Sequence, residues 1–176
     1  MLIPIEEKKH ALENEWSFWL FTNMKKVWEE NLVELTKFQT VEDYWCLYHH
    51  MKLPSELKSG QDYAIFKTGI SPMWEHHANM KGGRWQIMFD ELRYNVMDSI
   101  WSDIVLLLIG ESINCSNAIC GVVVNVRAKS KISVWMNCKH AKPVMEVGKK
   151  LRSQLSVPNR IHYYLHNNSS KSLYTC

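Results

Sequence analysis

The chain has 176 residues, 46% hydrophobic and 22% charged, with a formal net charge of +3. Those values suit one ordinary globular domain with a sizeable core, and the charge is too small for general nucleic-acid coating, though a local basic patch remains open. No stretch approaches a membrane span and no apolar run follows a basic start, so neither a membrane partner nor a secretory signal is expected.

The five cysteines (Cys46, Cys115, Cys120, Cys138 and Cys176) are irregularly spaced and include no Cys-x-x-Cys pair. That argues against a zinc site or a disulfide framework and for reduced thiols, hence a cytoplasmic or nuclear setting.

In chain order, "ENEWSFWLFT" alternates, with Trp16, Phe18 and Leu20 on one face and Ser17, Trp19 and Phe21 on the other, which predicts a strand. "MKKVWEEN" is a polar stretch carrying Trp28. "TVEDYWCLYHHM" predicts a helix from about Val41 to Met51, with Thr40 as N-cap, Glu42 and Asp43 in the first turn, and Pro54 beyond its end. "DYAIFKTG" and "GRWQIMFDE" predict strands, the second placing Trp85, Ile87 and Phe89 on one face after a Gly-Gly turn signal.

In "DSIWSDIVLLLIGES", Asp98 is the expected cap. Trp101, Ile104, Val105 and Leu108 form one helix face, and Leu106, Leu107 and Ile109 widen it. "AICGVVVNVRAKSKISVWMN" predicts two strands joined near Ala128 to Ser130. "KPVMEVGKKLRSQLSV" predicts a helix with Val144, Val147, Leu151 and Leu155 on one side, stopped by Pro158. "RIHYYLH" is a last strand, and "NNSSKSLYT" a polar tail. Hairpin-type strands with three separate helices imply an α+β fold: an antiparallel sheet with helices on one face and the other free for a ligand.

No enzymatic constellation stands out. There is no phosphate-binding glycine loop and no Gly-x-Ser-x-Gly, and His49-His50 and His76-His77 lack metal spacing, so solvated histidines are the simpler reading. No catalytic residue, metal or cofactor is expected. What remains is aromatic rings, a carboxylate and a basic cluster. Most of the eight tryptophans suit a core. Trp28 and Trp74 lie outside packing periodicity, and two such rings facing each other would make a slot for a flat ligand. Glu75 can accept from two adjacent N–H groups, which guanine offers at N1 and its amine. Each base–ring stack is worth roughly 1–3 kcal/mol, and a cationic base gains about 2 kcal/mol more when desolvated. Arg127, Lys129 and Lys131 in "VRAKSK" suit phosphates, or simply a solvated turn.

The order of several blocks resembles the eukaryotic translation initiation factor four-E family of messenger-RNA cap-binding proteins. These are His10 with "LENEWSFW", "KFQTVEDYWCLYHHM", "DYAIFKTGISPMWE", "GGRW", "LLLIGE", "CGVVVNVRAKSKISVW" and "YLH". The resemblance runs from about residue 10 to residue 166. It implies a short segment 1–9 followed by one cap-binding domain over 10–176, with a strongly curved antiparallel sheet and three long helices on its convex face. It implies that 7-methylguanine lies between Trp28 and Trp74, with Glu75 holding N1–H and the amine. The Trp74 backbone N–H would meet O6, and Trp135 the N7-methyl group. Arg127, Lys129 and Lys131 would meet the phosphates.

A second site is implied on the helical face, where Val41, Trp45, Leu106 and Gly110, with His10 at the edge, bind a helical Tyr/Leu motif. Its bearers are the scaffold factor four-G and the four-E-binding proteins. The chain would bind capped messenger RNA as a monomer and start translation in the cytoplasm, with the nucleus as the alternative location. Two departures bear on that site: Ala11 where the family has proline, and Ser102 where it has leucine. They motivate an alternative, a cap-binding isoform or repressor with weak scaffold binding. A third reading, an enzyme acting on capped nucleotides, lacks an acid/base or metal cluster. Ser169, Ser170 and Ser172 are equivalent counterparts of the family's phosphorylated serine.

Overall fold

Alternation along the first strand decides which way the sheet faces. The computed structural model describes residues 8–89, 94–157 and 160–176. Its strands are β1 (Ala11–Phe21), β2 (Leu32–Thr40), β3 (Asp62–Lys67), β4 (Gly83–Met88), β5 (Ile119–Asn125), β6 (Lys131–Met136), β7 (His162–Leu165) and β8 (Tyr174–Thr175). Its helices are α1 (Val41–His50), α2 (Tyr94–Ile109) and α3 (Ala141–Gln154). The strands form one curved eight-stranded sheet in the order β2-β1-β3-β5-β6-β4-β7-β8, with every paired neighbour antiparallel.

The expected α+β class therefore holds, with the helices on one face. Trp16 and Phe18 of β1, Trp85 and Ile87 of β4, and Ile132 and Val134 of β6 join one large core with α2 and α3. The alternate residues build a smaller cluster on the opposite face, where Trp19 and Trp135 pack against Ala64, Phe66 and Val123. Among the described residues no helix packs on this second cluster, so the sheet keeps one face open.

Helix α1 starts as its sequence predicts. The Thr40 side chain accepts from the Asp43 N–H at 3.1 Å, satisfying one of the free donors of the first turn. Helix α2 starts earlier than expected, at Tyr94, so Asp98 lies inside it and is not its cap. Its carboxylate instead accepts from the Ser55 backbone N–H at 2.9 Å and from the Ser55 hydroxyl. That ties α2 to the turn Pro54–Glu56. Helix α3 ends at Gln154, and the expected stop at Pro158 lies outside the described residues, as do Asp90 and Glu91 of the strand expected in "GRWQIMFDE".

Two strands have no counterpart in the sequence reading. β2 is an edge strand with little apolar alternation; only Phe38 along it is fully buried. The stretch read as a polar tail returns to the sheet as β8. Ile161 and Cys176 exchange both backbone hydrogen bonds, at 2.9 and 3.0 Å. The Gly-Gly pair also differs from a simple turn. Gly83 already belongs to β4, and a Cβ there would lie 2.3 Å from the Tyr164 carbonyl oxygen. The pair is required by close approach of neighbouring backbones.

The anchor between sheet and helices is Trp85, fully buried in β4. Its indole N–H donates to the Val144 carbonyl at 3.0 Å, and its ring lies flat enough against α3 that only Gly148 fits beneath it. A Cβ on Gly148 would stand 2.3 Å from the indole. Gly148→Ala should therefore destabilise the fold by about 1–3 kcal/mol through overpacking, although alanine is the better helix former. Urea unfolding at neutral pH checks this; a stabilised variant would contradict the packing described.

Candidate functional site

The open face holds a cavity of about 270 Å³. Trp28, Trp74, Trp135 and Lys131 line it together, although they come from two loops and one strand. Trp28 and Trp74 are 47% and 48% exposed, so neither indole is consumed by the core. Trp135 is the seated one. It packs edge-on to Phe66 at 5.5 Å and against the His166 ring at 4.2 Å between centroids. Phe21, from the outward face of β1, supports Trp28 at 5.3 Å.

The loops are ordered by their own hydrogen bonds. Trp28 opens the short 3-10 turn Glu29–Asn31, and its carbonyl accepts from the Asn31 N–H at 3.0 Å. Pro72 and Met73 also line the cavity beside Trp74. The Met73 carbonyl accepts from the His76 N–H at 3.1 Å. The His76 ring, read from sequence as solvated, accepts from the Ala78 N–H through Nδ1 at 3.2 Å and so closes the same turn.

Other expected residues stand apart from the cavity wall. Glu75 is exposed and adjacent to Trp74, but it does not line the cavity. Lys129 is exposed on the β5–β6 turn. Arg127 is committed elsewhere: its guanidinium donates to the Asp62 carboxylate at 2.7 and 3.3 Å and to the carbonyls of Gln61 and Val126. Burial raises Asp62 above the usual carboxylate range despite the opposing pull of Arg127.

One cationic residue of the cavity wall escaped the sequence reading. Arg84 follows the Gly-Gly pair and lies opposite Trp135 in the sheet register. Its Nη2 donates to the Ser169 hydroxyl at 2.7 Å, and its Nη1 lies 3.4 Å from Nδ1 of His166. Period two was the available signal: if Trp85 points into the core, Arg84 points to the open face. Among the described residues, neither Arg84 nor Lys131 has a carboxylate at ion-pair distance. Burial, and then mutual proximity to Arg84, pulls Lys131 below the usual lysine range. A cavity with aromatic walls and two cations in no ion pair among the described residues suits a flat ligand bearing negative charge.

On the helical face, Val41 and Trp45 stand one turn apart on α1, and Leu106 lies on α2. All three are about two-fifths exposed, at 38%, 39% and 38%. Trp45 is propped by Tyr48 at 5.3 Å, close to perpendicular. His10 is stitched to the start of α1: its backbone N–H and its Nδ1 meet the Glu42 carboxylate at 2.8 and 2.7 Å. Gly110 ends α2, donating to the Leu106 carbonyl at 3.0 Å. Ser102 is half-buried on the same helix.

His166 supplies a pH test of the cavity floor. Burial first, and the Arg84 charge second, push its pKa down to about 3. An unfolded histidine titrates near ~6.5, so below that pH the unfolded chain takes up a proton that the native chain refuses. The sign follows: stability falls as pH drops from about 6.5 toward the folded value, by roughly 2 kcal/mol at pH 5. His166→Gln should flatten the loss of urea midpoint between pH 7 and pH 5. An equally steep loss in the variant would contradict a buried neutral imidazole.

The sequence profile of eukaryotic initiation factor 4E matches residues 11–175. Eukaryotic translation initiation factor 4E1 of Drosophila melanogaster is 44% identical over 179 aligned residues, covering 95% of this chain and 69% of the fly protein. Among solved structures, C. elegans eIF4E-3 in complex with the 4E-binding protein Mextli superimposes with a TM-score of 0.92 at 35% identity, over 96% of this chain and all of that one. Ascaris suum eIF4E-3, solved with the m2,2,7G cap, gives 0.91 at 36% identity, over 96% and 98% of the two chains. It has also been solved with the m7G cap. With the profile spanning both tryptophan loops and the sheet beneath them, the chain belongs to the eukaryotic initiation factor 4E family.

Proposed function

We propose that this protein binds the 7-methylguanosine cap of messenger RNA in the open-face cavity and an initiation scaffold or a 4E-binding protein on the helical face. The observation that carries the first half is the meeting of Trp28, Trp74 and Trp135 with Arg84 and Lys131 in one cavity. The methylated base is cationic and flat. Between half-exposed indoles it gains stacking and attraction to the ring faces together. Glu75 accepts from N1–H and the exocyclic amine; its negative charge favours the methylated base over plain guanine. Trp135 meets the methyl group.

Arg84 and Lys131 take the nearer phosphates. Lys129 and Arg127, on the adjoining turn, extend the positive field. Arg127 acts there partly through its pairing with Asp62, which holds the turn against β3. The reading is of a binding protein whose selectivity comes from ring, charge and edge.

Val41, Trp45, Leu106 and Gly110, with His10 beside them, receive the partner helix. Exposed apolar side chains on two helices are what a helical Tyr/Leu motif can cover. Ser102 replaces an apolar rim contact by a hydroxyl, and its half-buried position favours weakened scaffold binding over its loss.

The cap site is tested by fluorescence titration with 7-methylguanosine triphosphate and with plain guanosine triphosphate. The methylated nucleotide should bind far more tightly, and Trp74→Ala should lose about 1–3 kcal/mol, one to two orders of magnitude in affinity. Equal affinity of the two nucleotides would refute the reading.

The helical face is tested by calorimetry with a scaffold peptide carrying tyrosine and leucine anchors. Trp45→Ala should abolish binding while cap affinity stays intact. Ser102→Leu should strengthen it by about 1 kcal/mol, the worth of one or two buried methylenes. Normal peptide binding by Trp45→Ala would move the partner site elsewhere.

A further inference from the structure

Both tryptophan loops close on a buried asparagine that no sequence motif singled out. Asn31 is 2% exposed and makes four hydrogen bonds with its own loop. Its Oδ1 accepts from the Met24 and Lys25 N–H groups at 2.9 and 2.7 Å. Its Nδ2 donates to the Lys25 and Val27 carbonyls at 3.0 and 2.9 Å. Every bonding position of the amide is used, and the residue next to the last carbonyl is Trp28.

Asn79, fully buried, does the same for the other loop. Its Nδ2 donates to the carbonyls of Ser71 and Met73 at 3.0 and 2.8 Å, on either side of Pro72 and immediately before Trp74. Its Oδ1 is buried with no hydrogen-bond partner. Two facing carbonyls fix which end of the amide is nitrogen. If the position only needed filling, leucine would fill it without leaving a buried acceptor unmet. The amide is there for its two donors.

We propose that Asn31 and Asn79 are a pair of positioning residues that set the backbones carrying Trp28 and Trp74, and thereby the width of the slot, before a ligand arrives. Neither touches the ligand. Each converts a polar loop of about ten residues into a fixed mount for an indole, so that little ordering is left for the binding step. The inference rests on the cap-binding reading for its functional consequence, but the loop clamps themselves can be measured without any cap.

The test uses Asn31→Asp and Asn79→Leu in the full chain. Asn31→Asp keeps Oδ1 with the two hydrogen bonds it accepts and replaces the donor Nδ2 by one oxygen that faces two carbonyls. Asn79→Leu keeps the branched heavy-atom shape, removes the unmet acceptor and cuts the loop free. The expected result is a melting temperature for Asn79→Leu within a few degrees of wild type, with 7-methylguanosine triphosphate bound at least tenfold more weakly by both variants. Cap affinity within twofold of wild type in either folded variant overturns the proposal.

Hydrogen exchange on ligand-free wild type needs no variant. The Met24 and Lys25 amides should be protected alongside those of β1. Fast exchange there, with β1 protected, equally overturns it. Failure of wild type itself to bind the methylated nucleotide would instead sink the cap reading, and the exchange result would still decide whether the loop is clamped.

Discussion

A β-sheet with apolar side chains on both faces and helices on only one is the constraint on which this molecule turns. The large core satisfies the helical side through Trp16, Trp85 and the inward residues of α2 and α3. Among the described residues, the other side has the small cluster of Ala64, Phe66, Cys120 and Val123, with Trp19 and Trp135 leaning on it. Beyond that cluster the apolar surface is left to loops. Burying the remaining rings completely would need another layer of structure; leaving them in water costs free energy. On the proposed cap-binding reading, a flat ligand between them would supply the missing layer.

The same arrangement sorts charge. Residues alternating with the core positions of β4 and β6 face the cavity, so Arg84 and Lys131 reach it simply because Trp85 and Ile132 point the other way. Arg127 sits just beyond the end of β5 and is drawn back to Asp62 on β3. The cations around the cavity are thus of two kinds. Arg84 and Lys131 line it and pair with no carboxylate among the described residues, whereas Arg127, off its wall, is paired with Asp62. On the proposed reading, a nucleotide's phosphates would be drawn to the first kind, close to Trp135.

How much of this could be read in advance depended on periodicity. Elements with clean alternation or clean helical spacing, such as β1, β6 and α3, were readable nearly to their ends. So was the cap of α1 at Thr40, since a hydroxyl before two acids is a local signal. β2 was missed because an edge strand with an exposed outer face has little apolar alternation to show. β8 was missed because its pairing with β7 is a tertiary event between polar segments. Asp98 misled because a good capping residue can equally serve a distant turn. In the site, the tryptophans and basic residues were visible as types out of pattern. Trp28, Trp74, Trp135 and Lys131 proved to share one cavity, whereas Glu75, Lys129 and Arg127 lie off its wall. Asn31 and Asn79 carried no signal, because a buried asparagine in a loop looks like any surface asparagine until its partners are known.

Gly148 beneath Trp85 has an evolutionary reading. The indole occupies the volume that any other residue's Cβ would need, and its N–H donates to a carbonyl of the same helix one turn earlier. Neither position can change size alone: a larger residue in the helix evicts the ring, and a smaller residue in the strand leaves a hole under a bare helix surface. Positions 85 and 148 are therefore a coupled pair, free to drift across relatives only by exchanging bulk in concert. Any lineage that lost the tryptophan would carry the trace of that loss sixty-three residues downstream.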